Sequence, residues 1–435
     1  MQPDSAIYRA RRERVLNEMG EGVMVIATAP EVPRNRDTHY PYRHDSYFYW
    51  LTGFNEPEAV VVLVGGKEPR HILFCREKNE EREICDGFRY GPDAARDVFA
   101  FDEAFAYDGL DAELPRLLEN QPQLAYIIGR DMAWDTEVMG WLNAVRAKAR
   151  SGVHAPNKMV DARIWLDEMR LVKDGHELAL MRRAAEISTG AHRAAMRATR
   201  PGGHEYEIEA ELLSAFRRGG AEAPAYTSIV ASGANACVLH YVFNNQPLKD
   251  GDLLLIDAAA EFGSYAADIT RTFPVNGRFS AAQKDAYELV LAAQAAAIRE
   301  VRPGSHWNAP HEAAVRVLTQ GMVDLGLLHG EVDGLIESNA YSRFYMHRTG
   351  HWLGMDVHDA GEYKLGGVWR PLVPGMTLTV EPGLYIRPAD DVPEAFWNIG
   401  IRIEDDVAVT QGGREVLTNP PKTVADIEAC MAGRE

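Results

Sequence analysis

The sequence predicts a two-domain protein, with an α/β domain followed by an α+β domain built on a repeated helix–helix–hairpin unit. Three observations lead to this prediction. The chain has 435 residues, strand-like and helix-like segments alternate in its first part, and an Arg-Pro-Gly motif recurs in its second part. The boundary is expected near Leu171, so the predicted domains are 1–170 and 171–435.

The first domain contains short β-rich runs that end at Gly, Pro or charged residues. They are GVMVIAT, YFYWLTGF, AVVVLVGG, RHILFC and AYIIGR, beginning at Gly22, Tyr47, Ala59, Arg70 and Ala125. A helical pattern from Met132 to Arg150 follows the last of them. This alternation is typical of an α/β domain.

A long amphipathic helix opens the second domain, and Asp174 is its expected N-cap. Further on, the motif Arg-Pro-Gly occurs twice, beginning at Arg200 and at Arg302. It takes equivalent positions in the stretches ATRPGGHEYEIEAELLSAF and EVRPGSHWNAPHEAAVRVL. In each copy the motif would separate two helices, and a β region would follow. Arg-Pro-Gly is also common helix-stop chemistry, so a duplication and a coincidence of helix ends both account for the match.

Composition and charge exclude several classes of function. The net charge of −18 and the pI near 5.3 disfavour nucleic acid and anionic membranes as partners. The N-terminal sequence lacks an apolar signal core, and no run reaches the roughly 18 apolar residues of a membrane span. The four cysteines show no C-x-x-C spacing, which indicates free thiols in a reducing cytoplasm.

The stretch IDAAAEFGSYAADITRTF, from Ile256, reads as a buried hairpin that contains two aspartates. A two-residue turn at Gly263-Ser264 pairs Asp257 with Thr270 and places Asp257 and Asp268 on one face, as diagonal neighbours about 7–8 Å apart. Two carboxylates on an apolar face repel each other and are costly to desolvate. A bound cation removes both objections. The alternative is an exposed face with two solvated aspartates, which the surrounding apolar residues disfavour.

The second half of the domain supplies further candidate ligands. TVEPGLYI and IRIED place Glu381 and Glu404 in apolar strands, and MHRTGHWLGMDVHD carries His347, His351 and His358. A single histidine or glutamate in such a run is usually a core or surface group. Here two glutamates and three histidines occur in the same domain as a diagonal aspartate pair, and this combination points instead to one metal centre.

Four carboxylates and an imidazole exceed what one structural ion needs, and they fit two divalent cations that share carboxylates and a water. Oxygen-rich ligation with one imidazole indicates Mn²⁺, with Co²⁺, Fe²⁺ and Zn²⁺ as alternatives that depend on supply. The chain has no H-E-x-x-H motif, P-loop or G-x-G-x-x-G helix start, so a thermolysin-like zinc site and a nucleotide site are unsupported.

These residues, in this order, resemble the metal-dependent pita-bread hydrolases, which include methionine aminopeptidase, Xaa-Pro dipeptidase and Xaa-Pro aminopeptidase. YPYRHDSYFYWLTGFNEPEAVVVL from Tyr40 and HWLGMDVHD from His351 are most similar to aminopeptidase P, and the resemblance covers nearly the whole chain. It implies a pita-bread catalytic domain with a pseudo-twofold repeat behind an aminopeptidase P type N-terminal domain. It also implies release of the N-terminal residue from peptides with proline in second place.

The resemblance also implies a role for each matched residue. The expected metal ligands are Asp257, Asp268, His351, Glu381 and Glu404, with Asp268 and Glu404 bridging two metals. Glu381 would also act as the acid–base group. His240 would face the scissile bond, His358 would stabilise the tetrahedral intermediate, and His347 would line the pocket for the proline-side residues. Arg402 and Thr270 would steady the ligand carboxylates.

One departure from the family pattern is the run Arg348-Thr349-Gly350, where relatives usually have a small residue after the first histidine. Arg348 would change the charge of the pocket or the shape of its loop.

Three alternative functions remain: an Xaa-Pro dipeptidase, a non-catalytic pita-bread module and a metal-free creatinase-like hydrolase. Because all the expected ligand positions are filled, the last two are disfavoured. A homo-oligomer, dimer or tetramer, is expected by analogy.

Overall fold

The structure, a computed structural model, describes residues 4–433. The chain divides into two compact units, which meet in sequence between Glu168 and Met169. Across residues 4–433, no helix has both the length and the apolar character needed to cross a membrane.

The first unit is built around a six-stranded mixed sheet. Its helices are α1 (Ser5–Met19), α2 (Ser46–Thr52), α3 (Glu80–Asp86), α4 (Gly91–Val98), α5 (Leu110–Leu118), α6 (Met132–Arg146) and α7 (Arg163–Leu171), the last of which contains the unit boundary. Its strands are β1 (Gly22–Ala27), β2 (Pro33–Asn35), β3 (Thr38–His39), β4 (Val60–Gly65), β5 (Arg70–Cys75), β6 (Glu103–Ala106), β7 (Gln123–Tyr126) and β8 (Lys158–Asp161).

The sheet order is β6-β5-β4-β1-β7-β8. Strand β4 runs antiparallel to β1 and β5, and the outer pairs are parallel. The central strand β4 is a run of valines and one leucine, all buried except its last residue, because helices cover the sheet. The predicted α/β class of this domain is therefore confirmed.

One predicted strand in this unit is wrong. The run YFYWLTGF, expected to be β, lies mostly in helix α2. The Asp45 side chain caps the helix by accepting a 2.8 Å hydrogen bond from the Phe48 amide, and Gly53 ends it with a φ of 66°. These N-cap and C-cap signals outweigh the β propensity of the aromatic residues.

The second unit is an α+β domain. Its helices are α8 (Gly175–Ala198), α9 (Glu205–Arg218), α10 (Ala281–Glu300), α11 (Ala309–Asp324), α12 (Val332–Glu337) and α13 (Val424–Met431). Its strands are β9 (Ala223–Pro224), β10 (Ile229–Ser232), β11 (Leu253–Asp257), β12 (Ala260–Phe262), β13 (Tyr265–Ala266), β14 (Thr270–Pro274), β15 (Lys364–Leu365), β16 (Val368–Trp369), β17 (Thr377–Val380), β18 (Gly383–Ile386), β19 (Ile399–Arg402), β20 (Asp405–Thr410) and β21 (Gly413–Val416).

The order of elements follows the predicted repeat. Asp174 caps α8 in a capping box with Glu177, as expected from the sequence. The two Arg-Pro-Gly motifs lie between α8 and α9 and between α10 and α11, and antiparallel strands follow each helix pair. Both helix pairs and the strands contribute to one hydrophobic core.

The hairpin register is confirmed, because Phe262 faces Tyr265 and Asp257 faces Thr270. The turn residues Gly263 and Ser264 both have positive φ, which suits a two-residue hairpin turn. The hairpin is interrupted, however: β11 and β14 belong to one sheet, and β12 and β13 to another. The two aspartates lie at this interruption.

Candidate active site

All four predicted carboxylates lie where the chain passes from one strand to the next. Asp257 is the last residue of β11, and Asp268 lies between β13 and β14. Glu381 and Glu404 were expected within strands, but they lie between β17 and β18 and between β19 and β20. At both places the chain changes sheets, since β17 pairs with β20 while β18 pairs with β19. A residue in such a gap can point its side chain at a common centre.

These carboxylates open into a cavity of about 1160 Å³. The cavity also contains every other predicted site residue except Thr270. The predicted residues that line it are His240, Asp257, Asp268, His347, His351, His358, Glu381, Arg402 and Glu404.

Tyr226 links the two aspartates of the hairpin. Its hydroxyl lies 2.6 Å from Oδ1 of Asp257 and 2.5 Å from Oδ1 of Asp268. The predicted diagonal pair is therefore brought together around one hydroxyl group. Burial raises the pKa of Tyr226 well above its ordinary value, and the two aspartates add to this rise, so it remains a hydrogen-bond donor.

Three predicted ligands converge on one point. Asp268, His351 and Glu404 each offer an atom, and these atoms lie within 4.8 Å of one another. His351 Nε2 is 3.4 Å from Asp268 and 3.6 Å from Glu381 Oε1, so Glu381 flanks the group. Asp257 flanks it on another side through the hydroxyl of Tyr226.

The backbone holds His351 in this position. Its amide donates to Thr379 Oγ1 over 3.1 Å, and its carbonyl accepts from the Thr379 amide over 3.0 Å. The neighbouring Gly350 packs so closely on β17 that a Cβ would clash with the carbonyl oxygen of Thr379. A glycine before His351 is therefore required by close approach.

Arg402 and Thr270 contact the carboxylates directly. Arg402 donates to Asp257 Oδ2 over 2.6 Å and to Thr270 Oγ1 over 3.0 Å. Thr270 in turn donates to Glu404 Oε2 over 2.6 Å. One guanidinium thus orients carboxylates from two different strand ends.

The predicted histidines line the cavity around this centre. The ring of His358 lies edge-on to that of His351, with 4.4 Å between centroids. His347 Nε2 is 2.8 Å from the hydroxyl of Tyr385, and its Nδ1 is 3.9 Å from Glu381. His240 follows the short 3₁₀ turn Gly233–Cys237. Burial lowers the pKa of His347 to about 3, so its ring is neutral at pH 7.

The electrostatics of the centre favour positive charge. Burial, with a contribution from the neighbouring Asp268, raises the pKa of Glu404 well above its ordinary value. The same two causes raise the pKa of Glu381 to about 7, although His351 and Arg402 oppose this rise. Burial lowers the pKa of His351, but its contacts with Asp268 and Glu381 reverse this and bring it to about 9. Carboxylates that hold protons and an imidazole that gains one both indicate unbalanced negative charge.

This donor set fits divalent cations. Carboxylate oxygens and one imidazole are suitable ligands, three of them converge within 4.8 Å, and the excess negative charge would be neutralised by cations. The orienting contacts of Arg402 and Thr270 are of the kind that positions metal ligands.

The sequence did not point to Tyr226, Tyr385 or Thr379. Tyr385 accepts a 3.1 Å hydrogen bond from Arg402, and Thr379 Oγ1 lies 3.3 Å from Glu381 Oε1. Tyr226 lies 31 residues before Asp257, outside every motif used for the prediction. Strand alternation could have suggested Thr379, which precedes Glu381 by two positions. No local signal marks the two tyrosines.

Comparison with known proteins identifies the family. The profile of metallopeptidase family M24 matches residues 179–411, and that of the aminopeptidase P N-terminal domain matches residues 8–126. The chain is 44% identical to Xaa-Pro aminopeptidase of Escherichia coli over 98% of its length and 97% of that protein. The chain belongs to the Xaa-Pro aminopeptidases of metallopeptidase family M24. It is therefore a hydrolase with a pita-bread catalytic domain behind an aminopeptidase P N-terminal domain.

Other relatives agree with this placement. The chain is 34% identical to human Xaa-Pro aminopeptidase 3, with 93% of this chain and 80% of that protein covered. The solved aminopeptidase PepP of Pseudomonas aeruginosa matches with a TM-score of 0.98 at 52% identity, over 100% of this chain and 99% of that one. Zinc-substituted E. coli aminopeptidase P in complex with product matches with a TM-score of 0.97 at 43% identity over 100% of both chains.

These relationships bear on the rival readings. The relatives are Xaa-Pro aminopeptidases, so the Xaa-Pro dipeptidase alternative is not favoured. Family membership and the filled carboxylate cluster likewise leave the non-catalytic module without support. The chain is an enzyme of the M24 type that acts with divalent metal.

Proposed function

We propose that this protein removes the N-terminal residue from peptides whose second residue is proline, by metal-assisted hydrolysis. The observation that carries the proposal is the cluster of four carboxylates, two buried and two partly buried, with one imidazole in a single cavity. Its donor set suits divalent cations, and the relatives that match the full chain are Xaa-Pro aminopeptidases.

The ligands proposed for two cations are Asp257, Asp268, His351, Glu381 and Glu404, with Asp268 and Glu404 shared. We propose Mn²⁺ because oxygen ligands dominate the set; Co²⁺, Fe²⁺ and Zn²⁺ are the alternatives. When bound, the cations would lower the pKa of a water and polarise the peptide carbonyl. The convergence of Asp268, His351 and Glu404 supports this assignment.

Glu381 is proposed to take the proton of the attacking water and to deliver it to the leaving proline nitrogen. Its position supports this role, because Glu381 lines the cavity and its Oε1 lies 3.6 Å from Nε2 of His351, another proposed ligand. His358 is proposed to stabilise the oxyanion, His240 to face the scissile bond, and His347 to contact the proline side. All three line the cavity beside Glu381.

Proline explains why a dedicated enzyme is needed. A proline nitrogen carries no hydrogen, and its ring fixes φ, so peptidases that bind the N–H of that residue would fail. We further propose that 1–170 and 171–435 are the functional domains. A cytoplasmic location and a homodimer or homotetramer remain part of the proposal by analogy.

The proposal is tested by assaying Arg-Pro-Pro, Arg-Ala-Pro and Gly-Pro after EDTA treatment and again with added Mn²⁺. We expect Mn²⁺-dependent release of Arg from Arg-Pro-Pro, with little release from the alanine peptide. Cleavage of Gly-Pro alone would favour a dipeptidase. Failure to cleave any of the three with Mn²⁺, Co²⁺, Fe²⁺ or Zn²⁺ would overturn the proposed function.

A further inference from the structure

Two cationic side chains flank one aromatic ring in the wall of the active-site cavity. The guanidinium of Arg348 lies 5.4 Å from the ring centroid of Trp369, and the ammonium of Lys364 lies 4.2 Å from it. All three residues line the cavity that also contains Glu381 and His347. The aromatic ring of Trp369 attracts the guanidinium of Arg348 and the ammonium of Lys364 electrostatically, which limits the conformational freedom of both side chains.

Neither cation is neutralised by the protein. Across residues 4–433, no carboxylate pairs with Arg348 or Lys364, and the hydrogen-bond partner of Arg348 is the neutral side chain of Asn308. Two uncompensated cations beside one ring of the cavity wall favour an anionic ligand there.

The position of the cations indicates which part of a peptide they meet. Arg348 directly follows His347, whose Nδ1 is 3.9 Å from Glu381. His347 is the residue proposed to contact the proline side of the substrate. Since Arg348 adjoins His347 in sequence and all of these residues line one cavity, we place the cations on the leaving-group side of the proposed substrate.

We propose that Arg348, Lys364 and Trp369 form a binding site for the C-terminal carboxylate of short peptide substrates. Arginine binds carboxylates through two parallel hydrogen bonds, and lysine adds a second positive charge. The enzyme therefore prefers peptides of a few residues with a free C-terminus over amidated or long ones. This inference rests on the proposed function, because it assigns the substrate class of the same cavity.

The test compares the peptides Ala-Pro-Ala, Ala-Pro-Ala-Ala and Ala-Pro-Ala-Ala-Ala, each as free acid and as C-terminal amide, with Mn²⁺-loaded enzyme. For wild type we expect the acid to exceed the amide in kcat/KM by about fivefold at the best length, mainly through KM. In the double variant R348Q/K364Q this ratio should fall to about one. Because salt screens partly exposed charges, the wild-type ratio should also shrink as ionic strength rises.

The control is Arg316→Gln, which removes one positive charge from an exposed helical site outside the cavity. It should keep the wild-type acid-to-amide ratio. The inhibition constants of Pro-Ala-Ala as acid and as amide, measured against one fixed substrate, give a second comparison in which the tested peptide is not itself cleaved. The double variant should lose the preference for the acid. Circular dichroism checks that both variants are folded.

Several outcomes overturn the inference. If wild type cleaves acid and amide equally at every length, the inference fails while the proposed function stands. If R348Q/K364Q keeps the ratio, or if R316Q loses it as well, the cations of the cavity do not bind the carboxylate. If wild type cleaves no Ala-Pro peptide at all, the proposed function fails and the inference falls with it.

Discussion

Glu404 and Asp405 are consecutive residues that are equally buried, with 2% and 0% exposure, yet their carboxyl groups behave in opposite ways. Burial raises the pKa of both. For Glu404 the neighbouring Asp268 adds to the rise, whereas for Asp405 the cations Arg271 and Lys422 reverse it and leave the pKa below its ordinary value. One carboxylate faces the active-site cavity, and the other faces an ion-paired network behind it.

The contacts explain the difference. Asp405 accepts from Arg271 over 2.6 Å and from Lys422 over 2.7 Å. Glu404 accepts from the hydroxyl of Thr270, and its carboxylate lies in one cluster with Asp268 and His351. The carboxylate of Asp405 is thus balanced by two cations of the protein, whereas that of Glu404 lies among other carboxylates, which suits the external cation proposed for it. Arg271 also donates to the Glu404 carbonyl over 2.6 Å, so the balanced network holds the unbalanced residue in place.

The largest expected effect on activity comes from a substitution among the carboxylates of the cavity, whose negative charge the protein does not balance. Asp268→Asn should lower turnover by more than about a hundredfold and abolish metal retention, because it removes the carboxylate shared between the proposed metals. Turnover and bound metal, measured by mass spectrometry, check this. The thermal transition of the metal-free variant serves as the folding control. Near-normal turnover would contradict the two-metal assignment.

A direct comparison uses two variants, in which the carboxylate of Glu404 or of Asp405 is replaced by a neutral amide. Asp405→Asn should reduce the free energy of unfolding by about 3 kcal/mol, because it leaves buried Arg271 without its partner. In EDTA-treated protein, Glu404→Gln should cost less than about 1 kcal/mol. The raised pKa of Glu404 already favours its neutral form without metal, and Gln can still accept from Thr270. Urea unfolding of both variants measures this, and equal losses would break the distinction between the two carboxylates.

A third buried carboxylate sharpens the comparison, because across residues 4–433 its hydrogen-bond donors are neutral groups. Glu205 is 0% exposed and accepts hydrogen bonds from Ser232, Asn235, Tyr241 and the Gln246 amide, which hold the segment that carries His240. Glu205→Gln places an amide N–H against one of these donors and should cost about 1–3 kcal/mol of stability.

The same change should also raise KM, because the segment that carries His240 becomes less ordered. Urea unfolding and steady-state kinetics measure the two effects, and Glu207→Gln on the same helix is the matched control. If stability and KM are both unchanged, the hydrogen bonds from the neutral donors to residue 205 do not require the negative charge of its carboxylate.

The smallest effect is a pH dependence. The pKa of Asp405 lies below its ordinary 3.8, so its stabilisation is complete above the unfolded value and is lost as pH falls through the folded value. The difference in unfolding free energy between wild type and Asp405→Asn should therefore be constant from about pH 7 to about pH 5 and shrink below about pH 4. A difference that instead grows on acidification would mean that the network does not depend on the Asp405 charge.

Much of this protein could be predicted from short-range patterns. The hairpin register, the capping box at Asp174 and the places of the Arg-Pro-Gly motifs follow from turn chemistry and helix-end chemistry within a few residues. The helix at Ser46–Thr52 was missed, although its signals were local, because the aromatic residues were given more weight than the Asp45 cap. Propensity is a weak prior once a cap is present.

The candidate site could be predicted in its residue types but not in its arrangement. Alternation placed Glu381 and Glu404 within strands, whereas they lie in the gaps where the chain changes sheets. Sheet changes depend on which distant strands pair, and no local pattern records this. Tyr226 and Tyr385 were missed for the same reason, since their partners lie 31 and 17 residues away and on other strands.

Local chemistry in the chain was therefore enough to predict which acidic and imidazole groups share the cavity and most of the helices and hairpins that carry them. The roles that the family resemblance implies for these groups stay predictions. Folding in three dimensions settled which charges are balanced. Glu404 and Asp405 are adjacent in sequence and chemically alike, but Arg271 and Lys422 form ion pairs with the carboxylate of Asp405 alone, and Asp268 approaches that of Glu404. The sign of a pKa shift depends on charges within a few ångströms, and those neighbours come from segments more than a hundred residues apart as well as from nearby ones.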